Sequence, residues 1–205
     1  MRTNLGPYSA EGSTHVLDMH HPNCGCERHS LRGLFRKPVS DNELIVRIVT
    51  APDGYDERTN EILTARLTAL FSSGVSVIRE NASEAEIRST ILELTNEAAE
   101  ARRLVGAVIL KASNVRFLDQ ATRAYCVYDT RERNKAHHAD IVCTRADGPS
   151  NSARKKIDER RRYALRGLMA THLHLASTAD EVINLIRGAR ANRVLAGAGA
   201  PGGTN

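Results

Sequence analysis

The apolar positions of this chain switch repeatedly between a strand period and a helix period from residue 43 onward. Glu43–Thr50 (Glu-Leu-Ile-Val-Arg-Ile-Val-Thr) is a β-branched run of strand length, closed by the turn signal Ala51-Pro-Asp-Gly54. Thr59–Phe71 places Ile62, Leu63, Leu67 and Leu70 at helical spacing and predicts a helix, broken by Ser72-Ser-Gly74. Val75–Arg79 then reads as a strand. Ser83 and Glu86 form a capping box that opens the clearest helix, predicted to reach Arg103, with Ile87, Ile91, Leu94 and Ala98 along one face. Val105–Leu110 has the pattern of a buried strand, and Asn114–Leu118 that of a short turn or helix. Tyr125–Tyr128 and His138–Cys143 are two further strands around a polar loop. Ala153–His172 predicts a long basic helix. A second capping box, Thr178 with Glu181, opens a helix through Val182, Ile183, Leu185 and Ile186 to about Arg190.

About five strands interspersed with about four helices predict an α+β fold with one sheet, mixed α/β being the alternative. Residues 39–192 form its single domain. Residues 1–38 carry Gly, Pro, Ser, Asn and His without either period and read as a flexible arm; the Gly-rich segment 193–205 reads as a disordered tail. Of 205 residues 41% are apolar and none is Trp, so the core rests on Ile, Leu, Val and Ala. No run approaches the ~18 apolar residues of a membrane helix. No apolar leader stands at Met1–Arg28, which makes a cytoplasmic protein without membrane contact the expectation. In that compartment Cys24, Cys26, Cys126 and Cys143 are expected as reduced thiols or ligands, and the latter two as small buried apolar groups.

Charge changes the picture at the C-terminal end. The net charge is +5, yet Ser150–Arg193 alone holds ten Lys/Arg against four acids and leaves about −1 for the rest. Arg outnumbers Lys by 24 to 5, which the codon usage of a GC-rich bacterial genome explains better than phosphate recognition does. On the basic helix, Ile157, Ala164, Leu165 and Leu168 are placed to pack inward, with Arg154, Lys155, Arg161 and Arg162 facing water. Such a face suits nucleic acid or an acidic protein. The blander outcome is a solvated face in which Asp158 and Glu159 pair with Arg162. No nucleic-acid-binding signature accompanies the charge.

Candidate chemistry is concentrated in Tyr125–Cys143, where Asp129, Thr130, His137, His138 and Asp140 sit among apolar strand residues. Residues two apart on a strand share a face, so His138 and Asp140 point the same way, and the carboxylate can orient the imidazole. Asp129 ends the preceding strand, and Arg79 ends another and offers a cation for a phosphate or carboxylate. Arg79, Asp129, His138 and Asp140 are therefore the catalytic candidates, for phosphodiester or glycosidic chemistry. The commoner structural outcome is Asp-Thr capping a loop and His-x-Asp hydrogen-bonding at a sheet edge. A second cluster, His20-His-Pro-Asn-Cys-Gly-Cys-Glu-Arg-His29, offers His21, Cys24, Cys26 and His29 as tetrahedral Zn²⁺ ligands. Its Cys-x-Cys spacing is tighter than the Cys-x₂-Cys of zinc knuckles.

The pattern Gly74-Val-Ser-Val-Ile-Arg79, Arg116, Tyr125-Cys-Val-Tyr-Asp-Thr130 and Asn134-x-Ala-His-His-Ala-Asp-Ile141, followed by a basic helix, resembles a group of small uncharacterised bacterial proteins. The resemblance spans roughly residues 43–170. It implies a shared domain with Arg79, Asp129, His138 and Asp140 as distinctive polar positions, and no activity. No Walker loop, Rossmann fingerprint, nucleophile elbow or His-Glu-x-x-His helix is present. Two functions are carried forward. The first is a non-enzymatic accessory or binding protein that uses its basic C-terminal helix. The second is a small enzyme acting on a phosphate- or nucleotide-containing substrate through the Arg/Asp/His/Asp group.

Overall fold

A computed structural model describes residues 38–71, 73–96, 102–118, 124–130, 136–143 and 150–198. Its centre is a six-stranded antiparallel sheet in the order β6-β7-β4-β1-β5-β8. The strands are β1 (Leu44–Ala51), β4 (Val75–Arg79), β5 (Arg103–Lys111), β6 (Tyr125–Asp129), β7 (His138–Cys143) and β8 (Leu173–Leu175). A two-stranded ribbon, β2 (Tyr55–Asp56) and β3 (Glu61–Ile62), lies beside it. A 3-10 helix (Thr64–Phe71) and four α-helices complete the described residues: α1 (Glu84–Asn96), α2 (Ala112–Arg116), α3 (Asn151–Thr171) and α4 (Ala179–Ala198). The fold is α+β.

Directly paired residues of antiparallel strands share a face, so the register divides the side chains into two layers. Leu44, Val46, Ile48, Ile78, Ala107 and Ile109 face α1 and α4, where Ile87, Ile91, Val182 and Ile186 cover them. The opposite face carries Ile45, Val49, Val77, Leu110, Val127 and Ile141 beneath Leu67 and Leu70 of the 3-10 helix and Leu165 and Met169 of α3. Burying a large apolar side chain in either layer contributes roughly 1.5–3 kcal/mol of transfer free energy. Gly74 sits at φ +92°, and a Cβ there would lie 2.7 Å from the Asp140 Cβ, so both backbone and packing call for glycine.

Both capping boxes form. Glu86 accepts from the Ser83 amide at 2.9 Å while its own amide donates to the Ser83 hydroxyl at 3.2 Å. Thr178 and Glu181 repeat the exchange at 3.3 Å in each direction. These reciprocal bonds satisfy amides that a helix start otherwise leaves open.

Four expectations are corrected. Thr59–Phe71 is not one helix: Asn60 adopts a left-handed φ of 56° in the turn between β2 and β3, and only Thr64 onward is helical. Leu67 and Leu70 are buried at a three-residue spacing, the period of a 3-10 helix. The helix expected through Arg103 gives way to β5, which starts at that residue and pairs Arg103 with Ala51. Leu173–Leu175 is an additional strand on β5, made possible by Gly106, where a Cβ would come within 2.1 Å of the His174 carbonyl oxygen. Finally, α4 runs past Arg190 to Ala198, into the segment read as a tail.

Candidate functional site

The first candidate group is divided by the sheet. Asp129 pairs with Ala139, and Ala139 with Val77, which puts Asp129 on the face shared by Val77 and Arg79. His138 pairs with Ile78, and Asp140 with Ser76 and Tyr128, so these two side chains occupy the other face. The structure thus brings Arg79 and Asp129 together, and His138 and Asp140 together, but not the four.

Arg79 is consumed by a buried ion-pair network. Its Nε and Nη2 donate to the two Glu43 carboxylate oxygens at 2.6 and 2.8 Å, and its Nη1 lies 3.2 Å from Asp129 Oδ2. The small Ala139 between β4 and β6 lets the guanidinium reach across an intervening strand. All three residues are buried. Burial alone would lower the Arg79 pKa, but the bidentate bond to Glu43 and the Asp129 charge outweigh it and raise it above the ordinary value. Glu43 was not singled out in the sequence, where it reads only as the first residue of a strand-length run.

On the opposite face, His138 Nδ1 sits 2.9 Å from the Thr130 hydroxyl and 3.7 Å from Asp140 Oδ2. The second distance is too long for a hydrogen bond, so Thr130 orients the imidazole and Asp140 does not. His137 turns instead to α1, with Nδ1 at 2.9 Å from Glu86 Oε2. Burial would raise the Glu86 carboxyl, yet the hydrogen bonds from His137 and Ser83 hold it below its ordinary value.

A different region has the geometry of a site. β1 and β4 pair only through Ile45↔Arg79 and Val46↔Ile78, although both strands continue. Past Val46 they part, while β1 stays paired with β5 to its end. The opening widens into a groove of about 1210 Å³ between α1 and the 3-10 helix, reaching Met169 on α3, His138 at the start of β7 and His137 just before it. Interiors normally pack at crystal-like density, so a space of this size inside a sheet is a feature to explain. Its wall mixes polar side chains with apolar ones, among the latter Ile48, Ile78, Leu67 and Leu94, with Leu92 of α1 left 61% exposed.

Arg47 stands in that opening. Its Nη1 donates to the Ser76 carbonyl at 2.9 Å, bridging the two strands where the ladder has stopped. Among the described residues it makes no ion pair. Burial pushes its guanidinium down to about 10; the Arg66 charge adds to this and the Asp140 charge opposes it. The guanidinium therefore senses charges on both sides of the sheet. By contrast, Arg66 and Arg102 on the groove wall both meet Asp53, Arg102 Nε at 2.6 Å from Oδ2. Arg47 was missed in the sequence, although an arginine in the middle of Leu-Ile-Val-Arg-Ile-Val was a usable signal. A charge inside a central strand must be compensated or used.

The basic helix is α3, and its register differs from the expected one. Leu165 and Met169 are buried, Ile157 and Leu168 are half-buried, and Ala164 is exposed. Arg161 lies four residues from both Ile157 and Leu165, on the inward stripe, where its carbonyl accepts from the Tyr125 hydroxyl at 2.8 Å. It is half-buried, as is Arg162, whereas Arg154, Lys155, Lys156 and Arg160 are exposed.

The N-terminal zinc candidates His21, Cys24, Cys26 and His29 lie outside the described residues. Among the described residues no group of three or more His, Cys, Asp or Glu is arranged to hold a metal ion. Cys126 and Cys143 are fully buried, and Cys126 is disulfide-bonded, which corrects its reading as a reduced thiol. Linear spacing carries no sign of which cysteines meet in space. Among the described residues no helix is long and apolar enough to cross a membrane. No protein-family model, curated protein or solved structure matches the chain.

Proposed function

We propose that this chain is a non-enzymatic binding protein that takes a small organic ligand into the groove between β1, β4, α1 and the 3-10 helix. The observation that carries the reading is the parting of β1 from β4 after two residue pairs, which leaves a large, partly apolar space where a continuous sheet would be packed. What favours binding over catalysis is the separation of Arg79 and Asp129 from His138 and Asp140 by the sheet. General acid–base work on a phosphate or nucleotide needs those groups within hydrogen-bond reach of one substrate.

Nile red, an uncharged fluorophore that brightens in apolar surroundings, tests the groove directly. Saturable uptake near one dye per chain is expected. Ala85→Trp, which fills the groove from an exposed position of α1, should suppress it without lowering the melting temperature. Uptake that never saturates, or that ignores the tryptophan, removes the reading.

A second reading rests on the exposed cations of α3. Arg154, Lys155, Lys156 and Arg160 line its outward side and suit nucleic acid or an acidic protein. Replacing these four by Gln should weaken binding to a DNA duplex at low salt and flatten its salt dependence. No binding by the parent chain in low salt ends this reading.

A further inference from the structure

We infer that Arg47 is the anchor for a carboxylate, and that the groove accepts an amphiphilic monoanion whose apolar body lies along the wall. This deepens the groove reading and rests on it. Three observations lead here. Among the described cations that line the groove, Arg66 and Arg102 are both paired with the one carboxylate of Asp53, and Arg47 is the one whose bonds end on a backbone carbonyl. A guanidinium carries five N–H donors in a fixed fork, and only Nη1 of Arg47 is engaged, so donors remain to meet a planar carboxylate. The side chain is half-buried at its strand position, so its remaining donors stay within reach of an arriving anion in surroundings less polar than bulk water.

The surroundings select the rest of the ligand. Glu86 and Glu93 also line the groove, so its cationic character is limited and suits a single negative charge rather than a phosphate dianion. The apolar part of the groove wall includes Val46, Ile48, Ile78 and Leu67 and reaches the exposed Leu92. An alkyl or aryl chain attached to the carboxylate buries that surface and is itself buried. The chemical class is thus a medium-length carboxylic acid.

Octanoate and octan-1-ol, which share a chain and differ in charge, decide the question when titrated calorimetrically into the full chain at pH 7.5. The parent protein should bind octanoate at least about ten-fold more tightly than octanol, the usual scale of a charge-assisted fork. Arg47→Met should remove that preference and leave octanol binding unchanged. Arg47→Lys, which keeps the charge and loses the fork, should fall between. Equal affinity of the parent for the two ligands overturns the anchor while leaving the groove reading intact, and needs no variant to fold. A preference that survives Arg47→Met also overturns it. Absence of binding by both ligands, with no Nile red uptake, overturns the anchor and the groove together.

Discussion

Two arginines on neighbouring central strands have opposite fates. Arg79 on β4 is enclosed by Glu43 and Asp129 on the face covered by the 3-10 helix and α3, every arm of its fork directed at a carboxylate. Arg47 on β1 stands where β1 and β4 part, with one bond to a carbonyl and no ion pair among the described residues. The protein raises the pKa of the first and lowers that of the second to about 10. One residue type in one sheet is structural where it is buried and carboxylates converge on it. It is available for a ligand where the ladder opens. Burial of a charge is thus not itself a functional signal; the state of its partners is.

The largest expected effect tests this contrast at its strong end. Arg79→Met leaves two carboxylates buried without their cation and should cost about 3–5 kcal/mol in denaturant unfolding. Arg47→Met loses one hydrogen bond and relieves a partly desolvated charge, so it should cost no more than about 1.5 kcal/mol. If the two variants unfold at similar denaturant concentrations, the distinction between the arginines collapses.

The groove needs its α1 wall, which is held by Ile87 and Ile91 beneath the helix. Ile91→Ala should cost about 2–5 kcal/mol through lost transfer energy and a residual cavity, and should reduce dye uptake in parallel. A melting midpoint close to the parent's would mean that α1 is not fastened there.

The smallest effect concerns the rim. The Glu86 carboxyl lies below its ordinary value of 4.5, so the folded state binds its proton less readily than the unfolded chain. Its contribution is present above pH 4.5 and is lost as pH falls through the lower folded value. Glu86→Gln should therefore shallow the acid limb of the stability profile below pH 4.5 while changing it little once the pH lies below the lowered folded value. An unchanged acid limb would show that the His137 and Ser83 bonds do not hold Glu86 in solution.

Much of this was legible along the chain because it depends on neighbours in sequence. The β-branched runs became β1, β4, β5, β6 and β7, and each Ser/Thr-x-x-Glu closed its own capping box, since partners three residues apart need no fold to find each other. The period of two also placed His138 and Asp140 on a common face. What failed there was range. Thr130, just past the end of β6, took the imidazole nitrogen that Asp140 was expected to hold. The edge strand Leu173–Leu175 was hidden because three residues carry too little period, and its existence depends on the glycine of a distant strand.

The sequence by itself therefore determined the α+β composition, most element boundaries, the helix starts and the apolar stripes of α1. Only the tertiary structure decided that Arg79 would meet Glu43, thirty-six residues away in the chain, and that the sheet would stand between Asp129 and His138. It alone decided that β1 and β4 would part at Arg47. The physical reason is that local propensity acts between residues a few bonds apart, whereas the fate of a buried charge is set by which strands the sheet order places beside it.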